Sequence, residues 1–246
     1  MCAGAIDGTF MKIRKPEVWG DASWCYKNYC AIMILAVADA NEIFTYVDVG
    51  DAGSVGDAYT FNHSGLKKNI DAGVLLEADP VEVQSRLVWP YLVGDSAFAL
   101  SGSTLKGCDY LPVPGHQRSF NAAVVKAHRI SELVFGLTKG RYAVLCYNFV
   151  NDPDFAGDVA LVRCALNNIC VRSNREVFDS WLADNMEEEE LQHHGGAHAN
   201  NANSEDNPAV LVRLALAEHI HNVVPMPSNT HTHTHTHTHT PHTHTK

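Results

Sequence analysis

The sequence predicts an α/β fold in which a mixed β-sheet is flanked by helices. Three observations predict it: a short N-terminal strand that carries Asp7, two apolar and β-branched segments at 30–39 and 43–49, and a long helical pattern from Ser119 to Lys139. An early hairpin followed by a helical crossover to another strand is typical of a mixed sheet that is covered by helices.

The first predicted strand places one acid beside a flexible residue. Asp7 follows a short apolar approach and precedes Gly8 and Thr9, after which β-prone residues resume. This arrangement can hold a carboxylate at a fixed point of a strand. Asp-Gly is also the commonest hairpin turn, so Asp7 acquires weight only together with acids elsewhere in the chain.

The next two predicted strands form a hairpin and are followed by a helix. Residues 30–39 are apolar without alternation, which is typical of a central strand buried on both faces. Residues 43–49 are β-branched and aromatic and form the return strand. Ser54 then predicts the N-cap of a helix that extends to about Ile70, with Asp57 completing a capping box.

Two further acids lie in settings that can bring them to Asp7. Asp95 ends a predicted strand at 91–93, and Glu132 lies on the predicted helix at 119–139. Residues 71–90 between them predict a loop and a short helix. Residues 142–147 fit either a helix or a short strand, and 158–170 predict a further amphipathic helix.

The composition changes toward the C-terminus, and the sequence predicts three regions. Residues 3–170 form one globular domain, 171–222 form a linker and helical extension with a helix at 208–219, and 223–246 form a tail in which Thr and His alternate. A dipeptide repeat cannot specify a packed core, so this tail is predicted to be disordered. Loose binding of Zn²⁺ or Ni²⁺ by its histidines is a weaker interpretation than a by-product of repeat expansion.

Charge, cysteine content and hydropathy limit the classes of function. The net charge of −10 argues against a free-standing nucleic-acid binder, although residues 1–180 carry only −4 of it. The seven cysteines form no CxxC pair and are predicted to be reduced thiols. The chain has no apolar stretch of about 18 residues and no N-terminal signal pattern, so we expect an intracellular protein that is not bound to a membrane.

Two strand-borne Asp and one helix-borne Glu are the donors of a two-metal phosphodiester-cleaving site. Asp7, Asp95 and Glu132 would hold two Mg²⁺ or Mn²⁺ ions, which prefer carboxylate oxygens. The alternative interpretation is that the two Asp are turn formers and Glu132 a solvated helix residue. Asp57 fits a capping role better than a fourth carboxylate, but both interpretations remain open.

Four motifs in series resemble the PIF/Harbinger group of DDE transposases and the nucleases domesticated from them. They are Gly-Ala-Ile-Asp-Gly-Thr at 4–9, Gly-Ser-x-x-Asp-Ala-x-x-Phe at 53–61, Gly-Asp-Ser-Ala-Phe at 94–98, and Glu-x-x-Phe-Gly-x-x-Lys-x-Arg at 132–141. The chain has His128 where the family commonly has Arg. The resemblance extends from about residue 3 to about residue 170.

The resemblance implies an RNase H-like fold and metal-dependent cleavage of DNA in the nucleus. It assigns the catalytic acids to Asp7, Asp95 and Glu132. In the family, a separate Myb/SANT-like protein often supplies DNA binding and nuclear import, and such a partner would suit an acidic nuclease subunit.

Six cations are candidate contacts for DNA phosphates. Lys12, Arg14 and Lys15 form a basic patch close to Asp7, and Arg129, Lys139 and Arg141 accompany Glu132 on its helix. Ordinary surface cations are an equally good interpretation of the helix-borne ones.

Three hypotheses of function follow. The first is a metal-dependent DNA endonuclease derived from a transposase. The second is a catalytically silent, truncated relative that acts as a protein-interaction module. The third and weakest is a metal-dependent phosphoesterase that acts on something other than DNA.

Overall fold

The computed structural model describes residues 2–76, 78–108, 115–173 and 208–223. The strands in these ranges are β1 (Cys2–Lys12), β2 (Ala31–Ala38), β3 (Phe44–Ala52), β4 (Val81–Val83), β5 (Arg86–Val88), β6 (Tyr91–Val93) and β7 (Thr104–Leu105). The α-helices are α1 (Asp57–His63), α2 (Gly65–Asp71), α3 (Gly115–Arg141), α4 (Pro153–Ser173) and α5 (Pro208–Val223). Short 3-10 helices occupy Gly20–Ser23 and Ala143–Leu145.

The main sheet has five strands in the order β3-β2-β1-β6-β7. β1 and β3 are antiparallel to β2, whereas β1, β6 and β7 are parallel to one another. Helices cover both faces of this sheet. This arrangement confirms the predicted α/β fold, a mixed sheet flanked by helices of the RNase H-like kind.

The strand β2 lies at the centre of the core, and all eight of its residues are buried. Because successive side chains of a strand point to opposite faces, β2 contributes to two apolar layers. Ile32 and Ile34 pack with residues of α3 and α4, whereas Leu35 and Val37 pack with residues of α1 and α2. The continuous apolar segment thus has the doubly buried position that the sequence predicted.

Helix α5 packs against α3 and the β4–β5 hairpin. Its buried Val210 and Leu216 lie in one apolar cluster with Val83 and Val88 of the hairpin and Phe120 of α3. The helix predicted at 208–219 is therefore confirmed. Residues 174–207 of the predicted linker and extension, and residues 224–246 of the predicted Thr-His tail, lie outside the described residues.

The helix predicted from Ser54 to Ile70 is wrong in its start and in its continuity. The chain forms two helices, because the backbone of Ser64 is extended and its side chain caps α2 by accepting the amide of Lys67 at 3.1 Å. The N-cap of α1 is Gly56, which has no side chain to form a capping hydrogen bond. Ser54 lies before this helix, so the predicted capping box does not form.

A hairpin replaces the loop and short helix predicted for residues 71–90. The turn between β4 and β5 uses Gln84 and Ser85, whose φ angles are 50° and 60°. Turns of this kind favour Asn-Gly or Asp-Gly, so the sequence carried no turn signal. Helix α4 also begins earlier than predicted, at Pro153, after Asp152 whose carboxylate accepts the amide of Asp154 at 2.8 Å.

The structure bears on two further expectations, the state of the cysteines and the fold of residues 142–147. All seven cysteines are free, as predicted. The undecided segment at 142–147 contains the 3-10 helix Ala143–Leu145. Within the described residues, no helix combines the length and the apolar character that crossing a bilayer requires.

Gly94, between β6 and Asp95, has no room for a side chain. An added Cβ would lie 2.6 Å from Cδ2 of Phe98, which is buried, and 3.2 Å from Cγ2 of Ile6. We expect Gly94→Ala to lower the free energy of unfolding by about 1–3 kcal/mol, the usual cost of overpacking a core. Urea denaturation measures this change in the free energy of unfolding. Gly102→Ala is the matched control, because nothing lies within 4 Å of its Cβ position, and an equal loss in both variants would contradict the packing argument.

Candidate active site

Two of the predicted acids, Asp7 and Asp95, lie at the same level on neighbouring parallel strands. β1 and β6 pair with Ala5 opposite Val93, and each Asp lies two residues beyond that pair. Because both strands run in the same direction, the two positions remain neighbours past the last paired residues. The structure therefore brings together the two strand-borne acids that the sequence predicted.

Each of these carboxylates is fixed by one local hydrogen bond. Oδ1 of Asp7 accepts the amide of Gly8 at 2.8 Å, and Oδ1 of Asp95 accepts the amide of Ala97 at 2.9 Å. The hydrogen bond between Asp95 and the amide of Ala97 closes a tight turn directly after β6. β6 therefore ends at this level of the sheet, whereas β1 continues beyond it. A carboxylate has two oxygens, so each acid retains one that these bonds do not occupy.

A third carboxylate, Asp57, reaches the same point from helix α1. A Cβ added at Gly8 would lie 2.6 Å from Cγ of Asp57, so the absence of a side chain at Gly8 makes room for this carboxyl group. The predicted capping box of Asp57 with Ser54 is wrong, because Gly56 is the N-cap of α1. Asp57 does lie in the first turn of that helix, where a negative charge suits the helix dipole. Its other interpretation, a further acid beside the site, agrees with its position over Gly8.

The edge of β1 beside these acids is open in the described part of the chain. On that edge β1 pairs with β6 only as far as Ala5. Pairing resumes at Lys12, whose carbonyl accepts the amide of Phe149 at 3.0 Å. The backbone from Asp7 to Thr9 therefore lacks a strand partner on this edge and is partly exposed, whereas Phe10 and Met11 are buried.

Helix α3 contributes His128 and Glu132, which lie one turn apart. Nε2 of His128 is 3.4 Å from Oε1 of Glu132, and both side chains are largely buried. Nδ1 of His128 is buried and has no hydrogen-bond partner in the described residues. Glu132 is helix-borne as predicted, and its neighbour His128 interacts electrostatically with Asp7 and Asp95.

The three carboxylates and His128 form one electrostatic unit. Burial raises the pKa of Asp7 to about 7; among its neighbours, His128 lowers this pKa whereas Asp57 and Asp95 raise it. Burial and the charge of Asp95 raise the pKa of Asp57 to about 6. Burial alone would lower the pKa of His128, but its hydrogen bond to Glu132 and the charges of nearby acids raise it overall. Carboxylates crowded into one partly buried region favour the approach of a cation, because its positive charge stabilises their ionised forms.

The donor chemistry fits a hard divalent cation. Asp7, Asp57 and Asp95 offer carboxylate oxygens, the ligands that Mg²⁺ and Mn²⁺ prefer. The pKa of Asp7 is raised chiefly by burial, and the charges of Asp57 and Asp95 raise it further. Within the described residues, however, no three side chains of His, Cys, Asp or Glu stand close enough to form a ligand set. The fold places the donors in one region, and metal binding would draw their oxygens together.

Several of the predicted DNA-binding cations have identified contacts within the protein. Lys139 donates to Oγ1 of Thr9 at 2.5 Å and links α3 to β1, and Arg141 donates to Oδ1 of Asn167 at 2.7 Å. The other contacts join Lys15 to Asp21 at 2.5 Å and Lys12 to the ring of Tyr29 at 5.5 Å. The side chains of Arg14 and Arg129 are exposed.

Two residues beside the site, His128 and Lys27, were not predicted from the sequence to be site residues. His128 was noted only as a departure from a family pattern, although its position four residues before Glu132 places both on one helix face. Lys27 lies near enough to Asp57 to lower the pKa of that acid. No local signal marks Lys27, because its loop reaches the site only through tertiary packing.

The metal-free protein is expected to lose stability as the pH rises from about 4 to about 7. An acid whose pKa is raised by folding stabilises the fold while protonated, and Asp7 rises from 3.8 to about 7. His128, whose pKa is raised from its ordinary value of 6.5, adds a loss of the same sign only as the pH rises above that value. The free energy of unfolding in EDTA should fall by about 1.4 kcal/mol per pH unit for each group that titrates. Urea denaturation at a series of pH values measures this slope.

Asp7→Asn should flatten that slope, because the substituted amide does not ionise. Glu82→Gln, which removes an exposed carboxylate on β4, serves as the control and should retain the slope of the unmodified protein. Identical slopes in the Asp7→Asn variant and the unmodified protein would contradict the assignment of the raised pKa to Asp7.

Comparisons with known proteins agree with this geometry. The family model described as DDE superfamily endonuclease matches residues 6–168. A protein of Arabidopsis thaliana, "Protein ALP1-like", is 26% identical over 186 residues, which cover 72% of this chain and 45% of that protein. The chain thus spans less than half the length of this relative. No solved structure matches the chain.

The matched region contains Asp7, Asp57, Asp95, His128 and Glu132 and extends over about two thirds of the chain. The resemblance inferred from the four motifs is confirmed at the level of the family. The chain belongs to the DDE superfamily endonucleases.

Proposed function

We propose that this protein is a divalent-metal-dependent DNA endonuclease derived from a transposase of the PIF/Harbinger group. The observation that carries the proposal is the position of Asp7 and Asp95 side by side on β1 and β6, within electrostatic reach of His128 on α3. Membership of the DDE superfamily endonucleases supports DNA as the substrate.

Asp7 and Asp95 are the strand-borne metal ligands in this proposal, and Glu132 is the helix-borne one. Asp57 is a further carboxylate that can hold or orient a bound cation from the side of α1. When bound, two Mg²⁺ or Mn²⁺ ions activate the attacking water and neutralise the leaving oxygen of the phosphodiester. His128 holds Glu132 by the 3.4 Å contact and keeps that carboxylate on the side of α3 that faces β1.

The DNA strand would pass the partly exposed part of the β1 edge from Asp7 to Thr9. The exposed guanidinium groups of Arg14 and Arg129 are well placed to contact phosphates, because both residues are open to solvent. Lys12, Lys15, Lys139 and Arg141 remain candidates, but each would exchange an internal contact for a phosphate.

The net charge of −10 supports a division of labour with a second protein. In this proposal the chain works in the nucleus, and a Myb/SANT-like partner supplies most of the DNA affinity. Phosphate neutralisation requires many Lys and Arg, and this chain has few for its length.

A catalytically silent interaction module is the second candidate. The observation that favours it is the contact of Glu132 with His128, together with the lack of three ligand-type side chains at binding distance in the described ranges. A protein of this kind would retain the fold and its partner surface without cleaving DNA.

Substitution of the strand-borne acids distinguishes the two candidates. We expect the unmodified protein to nick supercoiled plasmid DNA in buffer that contains Mg²⁺ or Mn²⁺, and we expect EDTA to abolish this nicking. Asp95→Asn and Asp7→Asn should each lower the nicking rate by at least about 100-fold, because even residues behind metal ligands typically contribute 10- to 100-fold. Agarose-gel quantification of open-circular plasmid over time gives the rates.

Glu82→Gln is the matched control, since it removes a carboxylate from the separate β4–β5 hairpin, and it should nick at the unmodified rate. Equal nicking by the Asp95→Asn variant and the unmodified protein would refute the assignment of the site. Metal-dependent hydrolysis of small phosphoesters without nicking would instead favour a phosphoesterase with another substrate.

A further inference from the structure

A tight loop with an exposed aromatic tip borders the acid cluster on the side of α1. In this loop, residues 24–30, Trp24 and Cys30 form an antiparallel bridge. The amide of Cys25 donates to the carbonyl of Tyr29 at 2.9 Å, and Asn28 turns the chain with a φ of 64°. Tyr26 and Lys27 therefore stand at the tip of a closed turn with a defined backbone.

The base of the loop is anchored in the core while its tip is open to solvent. Cys25 is 1% exposed and packs in one cluster with Phe10, Ala31 and Met33. Tyr26, the next residue, is 79% exposed. Its ring meets Phe10 of β1 at a centroid distance of 5.5 Å and an angle of 71°, which holds it against the side chain of that strand residue.

The tip lies within electrostatic reach of the acids. Partial burial raises the pKa of the Tyr26 hydroxyl, and the charges of Asp57, Asp7 and Asp95 raise it further. The ammonium group of Lys27 lies 5.8 Å from the centre of the Tyr26 ring and lowers the pKa of Asp57. An exposed ring and a cation thus adjoin the point at which the scissile phosphate is proposed to lie.

Exposed aromatic rings beside cations bind nucleotides in a characteristic manner. The ring stacks on the face of a base, and the cation contacts the neighbouring phosphate. The bases of a continuous duplex are stacked on each other, so a protein ring reaches a base face only where the nucleotide is unpaired or extruded. An exposed ring next to a strand-cleaving site therefore distinguishes unpaired from paired DNA.

We propose that Tyr26 stacks on an unpaired base of the DNA strand whose phosphate lies at the acid cluster, with Lys27 contacting an adjacent phosphate. The loop thereby makes single-stranded segments and overhangs the preferred substrate over continuous duplex. This inference rests on the proposed nuclease function for the location of the phosphate, but the stacking itself is measurable without cleavage.

The test uses the full chain in EDTA and two labelled DNAs of equal length, a duplex with a single-stranded overhang and a blunt duplex. Fluorescence anisotropy measures affinity, and 2-aminopurine in the overhang reports stacking through quenching. Tyr26→Ala should weaken binding of the overhang DNA by about tenfold or more, as expected for one stacked base. It should abolish the quenching and change the affinity for the blunt duplex by less than about twofold.

Two further variants control for structure. Tyr26→Phe retains the ring and should keep both affinity and quenching. Tyr59→Ala removes another exposed tyrosine, whose ring stacks on His63 at 4.1 Å instead, and should behave as the unmodified protein. Matching thermal melts of all variants exclude unfolding as the cause of a loss.

Failure of this inference is distinguishable from failure of the proposed function. If the protein nicks plasmid but Tyr26→Ala leaves overhang affinity and quenching unchanged, or weakens both DNAs equally, the stacking proposal is overturned and the nuclease stands. If the unmodified protein neither nicks nor binds either DNA, both proposals are overturned.

Discussion

The parallel pairing of β1 with β6 is the constraint on which the candidate site depends. It is short, but its register sets Ala5 opposite Val93 and thereby carries Asp7 and Asp95 to the same level. β6 then turns away while β1 continues, so the acids stand beside an unpaired strand edge in the described chain. A shift of this register by one residue would turn one of the two carboxylates to the other side of the sheet.

Each of the two faces of β1 contacts a different helix beside the acid cluster, α3 on one face and α1 on the other. Alternation along the strand puts Asp7 on the same face as Thr9, which Lys139 of α3 contacts, and gives the other face to Gly8, over which Asp57 of α1 packs. Gathering acids from both sides raises their pKa values and costs stability when no cation is bound. The same crowding gives the site its affinity for positive charge, so the stability cost and the proposed chemistry have one origin.

Much of the fold could be predicted because its main elements have strong local patterns. The apolar segment that became β2 and the periodic one that became α3 leave little choice of structure. The β4–β5 hairpin was missed because Gln84 and Ser85 adopt positive φ without the usual turn residues. Ser64 rather than Ser54 caps a helix, since either serine satisfies the local rule and only packing selects between them.

The sequence by itself determined the main strands and the long helix, and it determined that Asp7, Asp95 and Glu132 bear the family motifs, because periodicity and motif are properties of neighbouring residues. Only the tertiary structure decided that Asp57 lies over Gly8 beside the other acids, that His128 contacts Glu132 within electrostatic reach of Asp7 and Asp95, and that Tyr26 of the loop at 24–30 packs on Phe10 of β1. These relations join residues far apart in the chain. Their distances follow from strand register and helix packing, which no local pattern encodes.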